Sequence, residues 1–361
     1  MTSTTKALIT GWGKCLPPAV LSNSDIAEFM DTDDEWIRTR TGIEERRVAH
    51  VGVTEMATVA AERALACAGV AADDIDAVIL ATTSPDILIP STASRVQAAL
   101  GIESAAAFDL NAGCTGWCYA LATANGLIAS GVHRKILLIG AERLTFYLDW
   151  TDRNTAVLFG DGAGAAVLET SDGDAGVLAA NQSCEADAGE ILMIPNFGTT
   201  MDLTNVPEAL KLQFEGREIF KRAVKGMGEC INNVLETTGH TVDDIDLLVP
   251  HQANLRIIES VGKQLKLDES QVITNVQKYG NTSSATVPIA LCEALEAGRI
   301  NSGDLVLLTA FGAGLTRSAV LVRWGERTAP VGSSDAELAP TDKTGRELID
   351  HALQHQLGRS R

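Results

Sequence analysis

The amino-acid sequence predicts an α/β fold made of two copies of one strand–helix unit. Apolar strand-like runs alternate with helical stretches along the chain, and this alternation is typical of layered α/β proteins. Residues 62–80, which end in the block DDID and an apolar run, resemble residues 232–250. The two DDID blocks begin 170 residues apart, at 73 and 243. A repeat of this length indicates duplication of a whole unit.

Further landmarks recur at a similar offset. The pair Gly-Cys at 113–114 corresponds to Gly-Asn at 280–281, and each pair precedes a helix rich in small residues. The chain therefore divides into halves at 1–170 and 171–325 and an extension at 326–361. The predicted strands are 6–13, 76–84, 134–142, 160–169, 245–251, 303–312 and 312–322, and the predicted helices are 54–69, 116–131, 216–239, 284–298 and 345–358.

Composition and charge narrow the classes of function. The chain has 361 residues, of which 45% are hydrophobic and 4% aromatic, so it can bury a large and tightly packed core. A formal net charge of −18 repels nucleic-acid phosphates and anionic lipid. An acidic partner would need a local basic patch.

Seven scattered cysteines predict reduced thiols and a cytoplasmic protein rather than a disulfide scaffold. The first residues predict a strand and not a signal peptide, because no basic segment leads into an apolar one. No apolar run approaches the ~18 residues that cross a membrane.

Cys114, in the stretch DLNAGCTGWCYAL (109–121), precedes a predicted helix. A helix N-terminus favours a thiolate, and the small neighbours leave room for a substrate carbonyl. An inert buried cysteine explains the stretch equally well. Cys118 lies one turn further on and is expected in the core, since no metal-ligand or CxxC spacing is present.

His251 and Asn281 are the partners that the repeat suggests for Cys114. His251 follows an apolar strand in VPHQANLRII, and Asn281 precedes a helix in YGNTSSATVP. Each has a plain structural explanation, as a satisfied core histidine and as a helix cap. Packing of the halves about a pseudo-twofold axis would bring all three residues together. A thiol with two uncharged hydrogen-bond donors suits acyl transfer.

The glycine-rich run GDGAGA (160–165) is not expected to bind a nucleotide. It matches a permissive G-x-G-x-x-A pattern, but a strand-like run follows it where that motif requires a helix. We expect these glycines to allow close backbone packing.

Six motifs in order make the chain resemble the thiolase-fold condensing enzymes, most closely the β-ketoacyl-acyl-carrier-protein synthase III family. The resemblance spans about residues 6–324. The motifs are DTDDEWIRTRTGIEERR (31–47), AGCTGW (112–117), FGDGAGAAVL (159–168), VPHQANLRII (249–258), YGNTSSATVP (279–288) and AFGAG (310–314).

This resemblance implies a five-layered αβαβα fold, a homodimer and decarboxylative condensation of an acyl-CoA primer with malonyl-acyl-carrier protein, initiating fatty acid synthesis without a metal or cofactor. It implies a Cys114, His251 and Asn281 triad, with the backbone N–H groups of Cys114 and Ala313 as oxyanion hole. The implied CoA and pantetheine contacts are Thr32, Trp36, Arg40, Arg153, Phe220, Ala253 and Asn254, and the implied carrier-protein contacts are Lys221, Arg256 and Lys263.

Three positions depart from common patterns of the family. Ile89 stands where many relatives have an aromatic residue that closes the acyl pocket from the partner subunit, Trp117 replaces a frequent Phe, and Asn154 replaces a frequent Gly. We expect Ile89 and Trp117 to belong to an acyl pocket that accepts longer primers. A related condensing enzyme that makes quinolones, polyketides or long-chain ketones would keep the same triad, and a non-catalytic acyl-CoA-binding homologue is the other alternative.

The extension differs from both halves. Residues 328–342 are rich in turn formers and predict a linker. Residues 345–358 place Leu348, Ile349, Ala352, Leu353 and Leu357 on one helical face, so we expect a terminal helix that docks on the core or frays.

Overall fold

The structure, a computed structural model, describes residues 5–195, 198, 199, 201 and 212–359. The elements of the first half are β1 (Lys6–Cys15), β2 (Val20–Ser22), α1 (Asn23–Ala27), α2 (Asp34–Thr41), β3 (Glu45–Arg47), α3 (Val53–Ala68), β4 (Ala77–Ala81), α4 (Thr92–Ala99), β5 (Ala106–Leu110), α5 (Gly116–Ala129), β6 (Lys135–Arg143) and β7 (Asp161–Ser171).

The elements of the second half and the extension follow in the same alternation. They are β8 (Gly176–Cys184), β9 (Leu192–Met193), β10 (Gln213–Phe214), α6 (Gly216–Thr238), β11 (Leu247–Pro250), α7 (Leu255–Leu265), α8 (Val276–Tyr279), α9 (Thr286–Glu296), β12 (Leu305–Gly312), β13 (Thr316–Arg323) and α10 (Gly345–Arg359).

The two large sheets repeat one topology. The first has the strand order β1-β7-β6-β4-β5 and the second β11-β12-β13-β8, which matches β4-β6-β7-β1 strand for strand. In each sheet the first two matched strands are parallel and the remaining pairs antiparallel. The duplication predicted from the sequence is therefore present in the topology. Among the strands of the described residues, β5 alone in the first sheet has no counterpart in the second.

The repeated DDID blocks form equivalent turns. Each contains a short 3-10 helix, at Ala72–Asp74 and at Val242–Asp244. The aspartate that ends each block then accepts a backbone N–H at the start of the next strand in the sheet: Asp76 accepts from Lys135 at 2.9 Å, and Asp246 accepts from Leu305 at 2.7 Å. The sequence similarity thus reflects the same strand-start hydrogen bond in both halves.

Three apolar clusters lie between the five layers of the fold and pack them together. One packs α3 and α4 on the outer face of the first sheet, a second packs α5 and α9 between the sheets, and a third packs α6 and α7 on the outer face of the second sheet. The expected αβαβα arrangement is therefore confirmed. Close packing uses the glycines of the GDGAGA run, since a Cβ on Gly164 would lie 2.7 Å from the Pro288 side chain of α9.

A fourth apolar cluster lies beside the layers and joins α1, α2, residues 144–159 and α10. The extension is docked and not frayed, because Ile349 and Leu353 are buried in this cluster. The segment before α10 has no regular structure, but its backbone carbonyl of Ala336 accepts a hydrogen bond from Arg63 at 2.8 Å. Within the described residues, no helix is long and apolar enough to cross a membrane.

Candidate active site

A cavity of about 1070 Å³ opens between the two halves. Its floor holds the half-buried Cys114 with the buried His251 and Asn281, so both halves contribute to it. Its mouth carries exposed Arg40 and Arg256. The sequence-predicted residues that line the cavity are Trp36, Arg40, Cys114, Phe220, His251, Ala253, Asn254, Arg256, Asn281 and Ala313.

Cys114 lies in the short connection between β5 and α5, two residues before that helix begins. Gly113 has a φ of 58°, and a Cβ there would lie 2.8 Å from the backbone nitrogen of Ala313. Glycine therefore allows the two loops that carry Cys114 and Ala313 to touch. The hydroxyl oxygens of Thr115 and Thr316, 2.7 Å apart, join the same two loops. This contact brings together the backbone groups expected to form the oxyanion hole.

The turn after Asn281 orients two polar groups. The side-chain Oδ1 of Asn281 accepts the backbone N–H of Ser283 at 2.8 Å, which leaves Nδ2 without a hydrogen bond among the described residues and available to the cavity. Ser283 has a φ of 50° in the left-handed region that non-glycine residues rarely adopt. Its hydroxyl donates to Sγ of Cys114 at 3.4 Å. One tight turn therefore contacts both the amide of Asn281 and the sulfur of Cys114.

His251 follows β11, and its backbone N–H donates to Thr309 O at 2.8 Å. Burial lowers the pKa of His251 to about 3, so the ring is neutral near pH 7. Its Nδ1 lies 2.5 Å from Oγ1 of Thr286, and the same hydroxyl lies 2.9 Å from the carbonyl oxygen of Ser283. A neutral imidazole carries one N–H, so the direction of the Thr286 hydroxyl decides which ring nitrogen is the donor.

The thiol of Cys114 is less acidic than an ordinary cysteine. Burial raises the pKa of Cys114 to about 11, and the nearby carboxylate of Glu142 raises it too. Hydrogen bonds from the Ser283 hydroxyl and from the cysteine's own backbone N–H lower this pKa, but by less. Desolvation outweighs the two hydrogen bonds that lower this pKa, so the shift does not support the expected thiolate. Near pH 7 the side chain of Cys114 is therefore a thiol.

Glu142 is the main site residue that the sequence reading missed. It ends an apolar run on β6 and is fully buried. Its carboxylate accepts the hydroxyls of Ser84 at 2.6 Å and Ser284 at 2.9 Å, and the backbone N–H of Thr83 at 3.0 Å. Burial raises the pKa of Glu142. This network connects the turn that follows Asn281 to the first sheet. In the sequence, Glu142 was marked only as an acidic residue at the end of an apolar strand.

Trp36 forms a cationic aromatic site near the mouth. The guanidinium carbons of Arg40 and Arg153 lie 4.4 Å and 4.9 Å from its ring centre. The amide of Asn254 donates to Arg40 O at 3.0 Å, which fixes the end of α2 against α7. Arg153 and Thr32 do not line the cavity themselves. The hydroxyl of Thr32 is buried and has no hydrogen bond among the described residues.

Basic side chains surround the mouth although the chain as a whole is acidic. Arg256 and Arg217, the latter not foreseen from the sequence, line the opening and are exposed. Lys221 and Lys263 are exposed on α6 and α7 outside the cavity, and Lys263 pairs with Glu259 at 3.6 Å. Among the described residues, Arg217, Lys221 and Arg256 make no ion pair.

The two predicted acyl-pocket residues do not line the cavity of the single chain. Ile89 is 81% exposed on the surface. Trp117 is fully buried in the cluster between the sheets, beside Cys118, and its Nε1 makes no hydrogen bond among the described residues. Ile89 could contribute to an acyl pocket only from a second subunit. The structure does not support an acyl-pocket role for Trp117, because core residues surround its side chain. The apolar wall of the cavity includes Leu144, Leu148, Val157, Leu158, Phe159, Leu192, Met193, Ile194 and Phe311.

In the described part of the chain, no three His, Cys, Asp or Glu side chains group together as metal ligands. The cavity instead combines a thiol, two uncharged donors and paired backbone groups. Such a set can attack a thioester and hold the oxygen on which negative charge develops.

Comparison with known proteins agrees with this chemistry. Residues 108–186 match the family profile described as 3-oxoacyl-[acyl-carrier-protein] synthase III, and residues 235–324 match the profile of its C-terminal part. The chain is 54% identical to the β-ketoacyl-[acyl-carrier-protein] synthase III 2 of Vibrio cholerae, over 97% of each chain.

Solved structures extend the agreement to the fold. The 3-oxoacyl-[acyl-carrier-protein] synthase III of Aquifex aeolicus is 44% identical with a TM-score of 0.84, covering 88% of this chain and all of its own. The priming β-ketosynthase of the R1128 polyketide pathway is 33% identical with a TM-score of 0.83, covering 89% of this chain and 97% of its own. Identity and coverage at this level show that the chain belongs to the β-ketoacyl-acyl-carrier-protein synthase III family of thiolase-fold acyltransferases.

Proposed function

We propose that the chain condenses an acyl-CoA primer with malonyl-acyl-carrier protein and so initiates fatty acid synthesis. The observation that carries the proposal is the joint placement of Cys114, His251 and Asn281 on the floor of one cavity, with Ser283 on the thiol. Each half supplies part of the site, so the chemistry depends on the duplication itself.

The first step is acyl transfer to Cys114. Its sulfur attacks the thioester carbonyl, the new carbon–sulfur bond forms, and the bond to the CoA sulfur breaks. The thiol proton ends on the departing CoA, so the exchange needs no external base. The backbone N–H groups of Cys114 and Ala313, whose loops touch, hold the oxyanion. The Ser283 hydroxyl at 3.4 Å stabilises negative charge on sulfur.

The second step is decarboxylation of the malonyl group. The bond to the carboxylate breaks, CO₂ leaves, and the electron pair moves onto the thioester as an enolate. Asn281 Nδ2 donates to the enolate oxygen, and so does the neutral ring of His251 when Thr286 donates to its Nδ1 and the ring proton is on Nε2. The enolate carbon then attacks the acyl-Cys114 carbonyl, and the thiol is regenerated with a proton from solvent as the β-ketoacyl carrier protein forms.

Substrate binding follows the charge around the cavity. We propose that Trp36, Arg40 and Arg153 hold the CoA nucleotide, with its adenine stacked on the indole or a guanidinium plane. Thr32, Phe220, Ala253 and Asn254 complete the CoA and pantetheine contacts. The exposed Lys221, Arg256 and Lys263 would attract the acidic carrier protein despite the net charge of −18.

We also propose a homodimer in the cytoplasm. Ile87, Leu88 and Ile89 are exposed together, with Phe146 66% exposed as well, and apolar groups of this size favour a protein interface. The first sheet ends at β5, whose outer edge is open to pairing with a second copy. The seven unpaired cysteines are in keeping with a reducing compartment.

A primer panel from acetyl-CoA to dodecanoyl-CoA, assayed with malonyl-carrier protein, tests this function. We expect one CO₂ and one β-ketoacyl carrier protein per CoA released. The similarity to a priming β-ketosynthase supports one alternative, a related condensing enzyme of secondary metabolism. Such an enzyme would use the primer but prefer a different carrier protein. A non-catalytic homologue would release no CoA.

A further inference from the structure

The C-terminal helix α10 packs beside the cationic aromatic site of the cavity. It lies beyond residue 324, where the match to the family profile ends. Gly345 sits so close to β2 that a Cβ there would lie 2.4 Å from Val20 O. Ile349 and Leu353 are buried in the fourth cluster with the apolar side chains of α1 and α2. The helix therefore packs against the elements that carry this site, although none of its residues lines the cavity.

Gln356 of α10 holds the segment that leads to Arg153. Its Oε1 accepts the backbone N–H of Trp150 at 2.8 Å, and its Nε2 donates to Leu148 O at 3.0 Å. One side chain thus fixes two peptide groups of an irregular segment. Gln354, two residues earlier, is exposed on the same helix.

A second contact reaches the segment before α2. The guanidinium of Arg346 lies 4.6 Å from the ring centre of Phe29, and Phe29 meets Trp150 edge to face at 6.5 Å. The helix therefore contacts both the segment before α2, through Phe29, and the segment before Arg153, through Leu148 and Trp150.

These two segments meet again at the proposed CoA site. Arg153 donates to the carbonyl oxygen of Asp31 at 2.8 Å while its guanidinium covers Trp36. Leu148 and Asn154, from the segment that Gln356 holds, line the cavity. Asp31 and Arg153 are both exposed, so their ion pair alone contributes little to holding this geometry.

We propose that α10 is a brace that orders the CoA end of the cavity before substrate arrives, with Gln356 as its positioning residue. Ordering a site in advance strengthens binding, because the conformational entropy is not lost on association. The proposal rests on the proposed use of acyl-CoA. It concerns only the nucleotide end, since a carrier protein presents the pantetheine arm without the adenine nucleotide.

Gln356→Met tests the brace because it keeps the side-chain volume and removes both hydrogen bonds, and Gln354→Met is the matched control. We expect Gln356→Met to raise the KM for acyl-CoA about three- to tenfold, with kcat and the KM for malonyl-carrier protein within twofold of the parent protein. The control should leave all three values unchanged. Equal rises in both KM values, a fall in kcat alone, or no difference from the control would overturn the brace.

The parent protein provides a second test that needs no variant. If docking of α10 favours CoA binding, CoA binding must favour docking to the same extent. Hydrogen exchange over 345–359 should slow when CoA is added, and unchanged exchange with CoA bound would contradict the proposal. The variant Trp36→Ala separates a failure of the proposed CoA site from a failure of the brace. If Trp36→Ala leaves the KM for acyl-CoA unchanged, the proposed CoA site is wrong. If Trp36→Ala raises this KM but Gln356→Met does not, only the brace is refuted.

Discussion

Oγ1 of Thr286 lies 2.5 Å from Nδ1 of His251 and 2.9 Å from the carbonyl oxygen of Ser283. A threonine hydroxyl has one proton to donate and can give it to either neighbour. Donation to Nδ1 leaves the imidazole proton on Nε2, where it can reach an enolate oxygen in the cavity. Thr286 therefore controls whether the buried neutral histidine acts as a donor or an acceptor.

Thr286→Val should slow decarboxylation of malonyl-carrier protein about ten- to hundredfold, because the valine leaves the histidine tautomer unspecified. Acylation of Cys114 by acyl-CoA should stay within about threefold. Single-turnover measurement of each half-reaction separates the two effects. Thr286→Ser keeps the hydroxyl and should retain most activity; loss of decarboxylation in the serine variant to the same degree would remove the tautomer argument.

The raised pKa of Cys114 predicts a steep pH dependence of its reactivity. With a pKa of about 11, the thiolate fraction rises about tenfold for each pH unit between 7 and 9. The rate of iodoacetamide alkylation of Cys114 should follow that slope in the free protein. A plateau at or below pH 8 would mean that the helix N-terminus outweighs burial.

The proposed triad assigns different roles to Cys114 and to His251. Cys114→Ala should abolish acyl transfer while decarboxylation of malonyl-carrier protein continues, since His251 and Asn281 remain. His251→Ala should slow decarboxylation at least a hundredfold and leave measurable Cys114 acylation. Separate assays of CO₂ release and CoA release distinguish these patterns. Condensation by His251→Ala at the parent rate would refute the assignment.

Primer length tests the prediction for Ile89. In a dimer that brings this exposed side chain to the partner's acyl pocket, a flexible isoleucine leaves more space than an aromatic residue. Ile89→Phe should reduce use of octanoyl-CoA and longer primers at least tenfold relative to acetyl-CoA, and Leu88→Phe serves as a neighbouring control. Competition among acyl-CoAs for Cys114 provides the measurement, and strict preference for acetyl-CoA in the parent protein would contradict the prediction.

The fold was largely predictable because duplication leaves regular marks in a sequence. The DDID blocks predicted equivalent turns, and the structure contains them with equivalent hydrogen bonds from Asp76 and Asp246. The floor of the cavity was predictable for the same reason, since Cys114 and Asn281 occupy matching helix starts.

What the sequence left open depends on tertiary surroundings. The pKa of Cys114 is set by burial and by Glu142, which is 28 residues away in the chain. The contact of Ser283 with the sulfur requires a left-handed backbone conformation that local patterns do not show. Trp117 was expected in an acyl pocket because it replaces a Phe that is frequent in the family, but its side chain lies in the core.

In the proposed mechanism, Cys114 carries the acyl group between the two substrates. Incubation with acetyl-CoA to dodecanoyl-CoA, followed by mass spectrometry of the intact protein and of its Cys114 peptide, tests this directly. We predict one acyl increment on that peptide and its loss, as a β-ketoacyl carrier protein, when malonyl-carrier protein is added. An unmodified Cys114 peptide with every acyl-CoA, or an acyl group that malonyl-carrier protein does not remove, would contradict this role of Cys114.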